Sequence, residues 1–326
     1  MATQINKVDV SIIIVNYKSW KHLRNCLGSL SFQKDQFTFE IIVVDNCSND
    51  DQFDRFKEEF LHVNFILNSG NNGFANGCNV GASEAKGKYL LFLNPDTIAN
   101  SKAILQMWRF AKGNPVIGIV SCEQKKKNGG YEKSIRVFPS LPTLFGLTRA
   151  IYKVFNKNQF DIEEKILYPD WVSGSVVMIS DEWLNQINGW NEDYWMYFED
   201  VDLCKRVNIA NGKIALLKNE EIIHNHGGAS RINMKTSSLT KTEVQISKQV
   251  YINTHFKGIE KFISLILLVI INLIVRLILG VFGIVFFFIP KMRLNVYLLA
   301  KTVRYYFGSL SRRSWLSINS TNLKIK

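Results

Sequence analysis

LLFLNPDT, residues 90–97, is an apolar run that stops abruptly on Asn94-Pro95-Asp96. Four apolar residues in succession read as a strand covered on both faces. Pro95 has no amide hydrogen to pair and fixes φ, so it ends the strand and aims the carboxylate that follows. Taken alone, the tripeptide is an ordinary turn whose Asp or Asn caps the next helix. The segments around it point further.

VDVSIIIV (8–15) is a β-branched run that ends at Asn16-Tyr17, and FEIIVV (39–44) repeats the signal and stops at Asp45. Between them Trp20, Leu23, Leu27 and Leu30 recur at helical spacing. The alternation predicts further strands over 63–67, 89–93, 116–120 and 171–179, with helices over 20–32, about 51–60, 76–85, 101–112, 181–187 and 199–210. Residues 123–170 read as irregular and basic. Strands alternating with helices make βαβ units and a mostly parallel sheet, whose ligands bind outside the carboxyl ends of the strands. Each of the first four predicted strands ends in polar or acidic residues: Asn16-Tyr17, Asp45-Asn46, Asn68-Ser69 and Asn94-Pro95-Asp96.

A nucleotide crevice must neutralise a diphosphate. No glycine-rich GxGxxG turn follows the first strand, and GNNGFANG has the wrong spacing, which disfavours a nicotinamide dehydrogenase. The other solution is a divalent cation held by one or two carboxylates and by the phosphates, and Asp96 is placed for it. Downstream, GWNEDYWMYFEDVDLCKR (189–206) sets Glu199, Asp200 and Asp202 at a predicted helix start, where capping accounts for at least one of them. The aromatic residues just before them would desolvate a carboxylate and raise its pKa, as suits a general base, and aromatic rings also stack on sugars. His224 and His226, two apart, point the same way if extended and share a ligand only in the less common case.

DNCSND, NSGNNGFANGCNVGASEAKGKYLLFLNPDT, WVSGSVVMI, GWNEDYWMYFEDVDLCKRV and HNHGGAS, in this order, resemble the inverting nucleotide-sugar glycosyltransferases of family two, especially the rhamnosyltransferase-like branch. The resemblance spans roughly residues 8–232. It implies an α/β, Rossmann-like GT-A fold with a mixed, mostly parallel sheet, an NDP-sugar donor and a Mg²⁺ or Mn²⁺ ion. It also implies the site. Asn16, Tyr17 and Asp45 line the nucleotide pocket; Asn71, Gly73, Phe74 and Asn76 border the donor; Asn94 and Asp96 occupy the family's DXD position. Asn94 departs from a strict DXD and leaves fewer charged ligands. Asp200 matches the catalytic base, with Glu199 as the fallback, and Arg136 meets phosphate or is a solvated loop arginine. Trp171, Gly174, Trp195 and Tyr197 fall on the acceptor side, and Asp96 with His226 on the metal.

The net charge of +12 is concentrated in the tail: from Lys261 onward ten Lys or Arg meet no Asp or Glu, so residues 1–260 carry only +2. Five scattered cysteines without a CxxC pair argue against a disulfide framework or zinc site and fit a reducing compartment. The N-terminus lacks a secretory h-region, which places the body on the cytoplasmic side. Phe262–Ile289 is apolar apart from Asn272 and Arg276; as one helix it would extend about 42 Å, against a hydrocarbon slab of roughly 30 Å. Two half-length helices bent near Arg276 or Gly280 are expected to re-enter one leaflet or lie at its interface. A single tilted span is the rival. The expected organisation is therefore a catalytic domain over 1–258, with a donor half at about 8–122 and an acceptor half at about 170–232, and a helical membrane-associating tail over 259–326. The expected partners are an NDP-sugar, a lipid-linked saccharide and the cytoplasmic face of the cell membrane, with no nucleic acid. The alternative is a catalytically degenerate membrane scaffold of the same fold.

Overall fold

The computed structural model describes residues 8–30, 37–133, 136–155, 164–225 and 233–324. By its contacts the chain divides into two compact units, Met1–Asn191 with Glu199–Gly228, and Glu192–Phe198 with Ala229–Lys326. The division expected at 258 thus lies inside the second unit, because the helix before it packs with the two helices after it.

The first unit begins with β1 (Val10–Asn16), α1 (Trp20–Ser29), β2 (Phe39–Asp45), α2 (Gln52–Glu59), β3 (Asn64–Leu67), α3 (Phe74–Ser83) and β4 (Tyr89–Leu93). It continues with β5 (Thr97–Ile98), α4 (Ser101–Gly113), β6 (Ile117–Lys126), α5 (Leu141–Leu144), α6 (Gly146–Phe155) and β7 (Ile166–Leu167). β8 (Val176–Ser180), α7 (Asp181–Gln186), α8 (Glu199–Ile209) and β9 (Lys213–His224) complete it. The sheet runs β3-β2-β1-β4-β8-β6-β9-β5, with β7 also on β9. β1 to β4 are parallel, as are β6 and β9, while β8 lies antiparallel between β4 and β6. This is the mixed, mostly parallel α/β sheet of the GT-A fold.

The unbroken apolar runs follow from burial on both faces. Along β1, Ile12 and Ile14 join a layer with Leu23, Ala103 and Met107, whereas Ile13 and Val15 join the opposite layer with Ala75, Cys78 and Leu203. α3 lies so close to the sheet that a Cβ at Gly81 would come within 2.5 Å of Ile13.

Several elements differ from expectation. The strand predicted over 171–179 begins only at Val176, because 171–175 forms a turn whose amides serve the site. β6 runs on to Lys126, and two helices occupy part of the stretch read as irregular. β9, the longest strand, was not anticipated. Its polar middle, Asn219-Glu220-Glu221, falls where the ladder with β6 slips register between Cys122/Leu217 and Glu123/Glu221, so the apolar pattern is interrupted.

The second unit holds α9 (Met234–His255), α10 (Gly258–Val285), α11 (Pro290–Arg312) and α12 (Thr321–Lys324). The bend expected at Arg276 or Gly280 is absent: α10 is continuous for 28 residues and the chain reverses at 286–289, ahead of Pro290. Gly280 serves close approach instead, since a Cβ there would meet Leu299 at 2.6 Å. The same unit holds Glu192–Phe198: Ser320 and Thr321 bond Glu192, Asn322 bonds Asp193, and Ser247 donates to the Met196 carbonyl.

Replacing Gly81 by Leu would force β1 and α3 apart. The expected loss is about 1–3 kcal/mol, seen as a lower urea midpoint at unchanged m-value.

Candidate active site

The carboxyl ends of β1 and β2 are tied by one buried carboxylate. Asp45 accepts from Asn16 Nδ2 at 2.8 Å and Ser48 Oγ at 2.6 Å through Oδ1, and from the Ser48 amide at 2.8 Å through Oδ2. This leaves Tyr17, 43% exposed, projecting beside the loop. An amide chain continues the rim: Asn68 Nδ2 donates to Asn46 and to Asn76, and Asn46 Nδ2 donates to the Gly73 carbonyl. Gly73 has φ +96°, which an L side chain resists, so the turn that starts α3 beside Asn71 requires glycine. Phe74 then meets the Trp190 edge at 5.6 Å. Asn79, not singled out from the sequence, clamps the Trp190 backbone with both amide atoms.

At the end of β4, Asn94 donates its amide to the Ser175 carbonyl, and Asp96 turns into the sheet edge at 8% exposure. β5 pairs with β9 so that Thr97 stands opposite His224. His224 Nε2 is then 3.3 Å from Asp96 Oδ1, and its Nδ1 is 3.0 Å from Glu132 Oε1. Burial works against charge on the imidazole, but the bonds to Asp96 and Glu132 outweigh it and push His224 up to about 9. Glu132 also accepts from Arg136 Nη2 at 2.9 Å, and the Arg136 guanidinium lies over the Trp171 ring at 4.6 Å. The solvated-arginine alternative therefore does not hold. One face of the Trp171 ring is thereby covered by the guanidinium.

Asp200 sits at the end of this row. Its Oδ2 accepts from the Gly174 amide at 3.0 Å and its Oδ1 from the Val201 amide at 2.8 Å. Burial raises its pKa, while these amides and the nearby Arg136 charge oppose the rise. Glu199 differs. Burial and then the Asp200 charge raise it well above the ordinary glutamate value, and its buried Oε2 has no hydrogen-bond partner. Asp202, fully buried, is structural: it binds Arg206 at 2.6 Å, which caps the carbonyls of Ile187 and Gly189.

The structure thus joins Asp96, His224, Glu132, Arg136 and Asp200 in one row of alternating charge. Glu132 was missed because nothing in its irregular segment marks it. His224 carried a signal, its place at the end of an apolar run beside Asn225 and His226, while His226 lies outside the described residues. Trp195 is buried and Tyr197 partly so, both in the second unit, so neither presents an open ring. Among the described residues no three His, Cys, Asp or Glu form a metal cage. Asp96 fits a hard cation that completes its shell from phosphate and water, whereas His224, charged and bonded through both ring nitrogens, is not a ligand in this arrangement.

A mostly parallel sheet that gathers carboxylates at its strand ends opens a ligand crevice there, as in other α/β sheets. Residues 11–186, more than half of the chain, match the family described as glycosyl transferase family 2, and residues 158–227 match one described as the N-terminal domain of galactosyltransferase. The chain belongs to glycosyl transferase family 2 and is a glycosyltransferase of glycan or polysaccharide biosynthesis. It is 28% identical over 260 residues to the low-salt glycan biosynthesis hexosyltransferase Agl10 of Haloferax volcanii, covering 75% of this chain and 73% of that one. It is 25% identical to the rhamnosyltransferase WbbL of Escherichia coli, over 66% of this chain and 83% of the relative. A relative in Mycobacterium tuberculosis, N-acetylglucosaminyl-diphospho-decaprenol L-rhamnosyltransferase, is 23% identical over 65% of this chain and 75% of its own length. Among solved structures, GalNAc-T7 with UDP, GalNAc and Mn²⁺ superposes with a TM-score of 0.54 at 14% identity, covering 76% of this chain and 50% of that chain. That likeness concerns the fold alone.

The Glu199 assignment carries a pH signature. A carboxyl raised in the folded state stabilises the fold at low pH and loses that contribution as pH climbs from the ordinary glutamate range through its folded value. Urea midpoints should fall as pH climbs past the ordinary glutamate range. Glu199→Gln should flatten the fall.

Proposed function

We propose that the protein transfers a sugar with inversion from a nucleoside-diphosphate sugar, dTDP-rhamnose ahead of a UDP-hexose, to a hydroxyl of a lipid-linked saccharide at the cytoplasmic face of the cell membrane. The row from Asp96 to Asp200 carries the reading. One end is suited to a diphosphate and the other to a proton acceptor, as a single displacement demands. The names of the Escherichia coli and Mycobacterium tuberculosis relatives support rhamnose and a polyprenyl-diphosphate acceptor.

Asp200 is the base. It takes the proton of the acceptor hydroxyl while that oxygen bonds to the anomeric carbon. The bond from that carbon to the diphosphate oxygen breaks on the opposite face, so configuration inverts. The Gly174 amide fixes the Asp200 carboxylate: a Cβ at 174 would press on the Asp200 Cβ at 3.2 Å. Arg136, held by Glu132 and the Trp171 face, offers positive charge toward the leaving group. Asp45 holds the nucleotide-side loop rather than reaching out, since both its oxygens are already engaged. Asp96 is the group that would hold Mg²⁺ or Mn²⁺, with the charged His224 beside it as counter-charge rather than ligand; when bound, such an ion stabilises the departing diphosphate as a Lewis acid.

Asp200→Asn should lower transfer by at least about 100-fold while nucleotide-sugar affinity, measured by calorimetry, stays close to wild type. Retained turnover would reject the base assignment. A panel of NDP-sugars with and without Mn²⁺ separates donors. Absence of transfer from every one of them would favour the degenerate scaffold.

A further inference from the structure

We propose that α10 and α11 form a hairpin that lies in the plane of an anionic phospholipid leaflet, with α10 buried lengthwise in it and not crossing. The mean hydropathy of the most apolar stretch of α10 is 2.9, and only 11% of that stretch is buried. Phe262, Ile266, Ile270, Ile274, Val281 and Phe288 are all exposed. A continuous apolar surface of this size on a soluble face marks a contact yet to be made.

What prevents a crossing is the other face. Ser264, Leu268, Asn272, Arg276 and Gly280 recur every fourth position and make one stripe that is turned inward, with Ser264, Leu268 and Gly280 fully buried. Its polar members meet α9 and α11. Asn272 Nδ2 donates to Tyr306 Oη at 3.0 Å, which also receives Gln249 Nε2 at 2.8 Å. With the Gln245 amide turned so that its oxygen accepts, Arg276 Nε and Nη2 bind it at 3.0 and 2.9 Å. At the other end Lys261 Nζ donates to the Asn253 carbonyl at 2.7 Å. The α9 partners of this stripe, from 253 back to 245, therefore follow α10 for about 12 Å, more than a third of the roughly 30 Å hydrocarbon thickness. α9 carries Lys235, Lys241, Glu243 and Lys248, and each charge drawn to the bilayer centre costs about 2.5–3.5 kcal/mol or more. A helix held through one polar stripe to such a partner keeps that side out of lipid, while its opposite, apolar side is free to lie on lipid.

Charge selects the occupant. No acidic residue follows Glu260, and the outer positions of α11 bring Lys291, Tyr297, Arg304, Phe307 and Arg312 to the surface. Alternating cations and aromatic rings suit a headgroup layer of anionic lipid. A second protein surface would call for a polar rim with hydrogen-bonding groups, which the exposed face of α10 lacks.

The test uses the full-length protein purified in detergent and reconstituted with phosphatidylcholine vesicles, with or without phosphatidylglycerol. Flotation should show binding that weakens at least tenfold, roughly the effect of one to two basic contacts, when the anionic lipid is omitted. Phe262→Cys, Ile274→Cys and Phe288→Cys are labelled with an environment-sensitive dye in a Cys47→Ser background, the other four cysteines being buried. Quenching by nitroxides high or low on the acyl chain should give one shallow depth for all three sites. A depth that peaks at 274 with shallow ends would mean a span and overturn the proposal. Failure to float, with a stable dimer in its place, would assign the face to a second copy and overturn it equally. Ile270→Glu, on the exposed face, should lose flotation while unfolding in detergent at the wild-type temperature.

Discussion

Asp96 is a carboxylate turned into the edge of an apolar sheet, and such a charge persists only where something neutralises it. His224 does so, delivered by the pairing of β5 with β9. The same imidazole is steered from its other nitrogen by Glu132, and Glu132 in turn anchors Arg136, whose charge bears on Asp200. Asp96, His224, Glu132 and Arg136 are each bonded to the next, and the Arg136 charge reaches Asp200, so the row acts as one electrostatic object. In a partly buried setting a network of that kind is strong while complete and fragile when one member is lost.

Glu199 and Asp200 of α8 are adjacent in the chain and share the helix start. Burial raises both; at Asp200 two amide donors and an arginine oppose the rise, whereas at Glu199 the Asp200 charge adds to it. Both carboxyls are raised by different balances of burial and charge, so the pair titrates as a unit. Asp202, one turn position further, has a third fate, spent on holding Arg206 against the 187–189 turn.

The tail is more than an appendage. The segment 192–198 leads directly into Glu199, and its hydrogen bonds run to Ser247 and to residues 320–322. Removing the tail would therefore take away the hydrogen bonds that hold 192–198, the segment that leads into α8. The polar stripe of α10 explains Asn272 and Arg276, which look misplaced in an apolar helix until α9 and α11 are seen to answer them.

Much was determined by the sequence alone. The strand over 89–93 and the helices beginning at Trp20, Ser101, Asp181 and Glu199 were legible, because burial on both faces or one is written locally as period and composition. The family was legible too, from the order of its motifs. What only the tertiary structure decided was which charges meet. Glu132 sits in a segment with no periodicity, His224 gains its role from a two-residue strand, and α10 stays straight because its polar residues find partners far along the chain. Pattern reports what faces the core; the pairing of charges depends on residues distant in sequence, and that information exists only once the chain has folded.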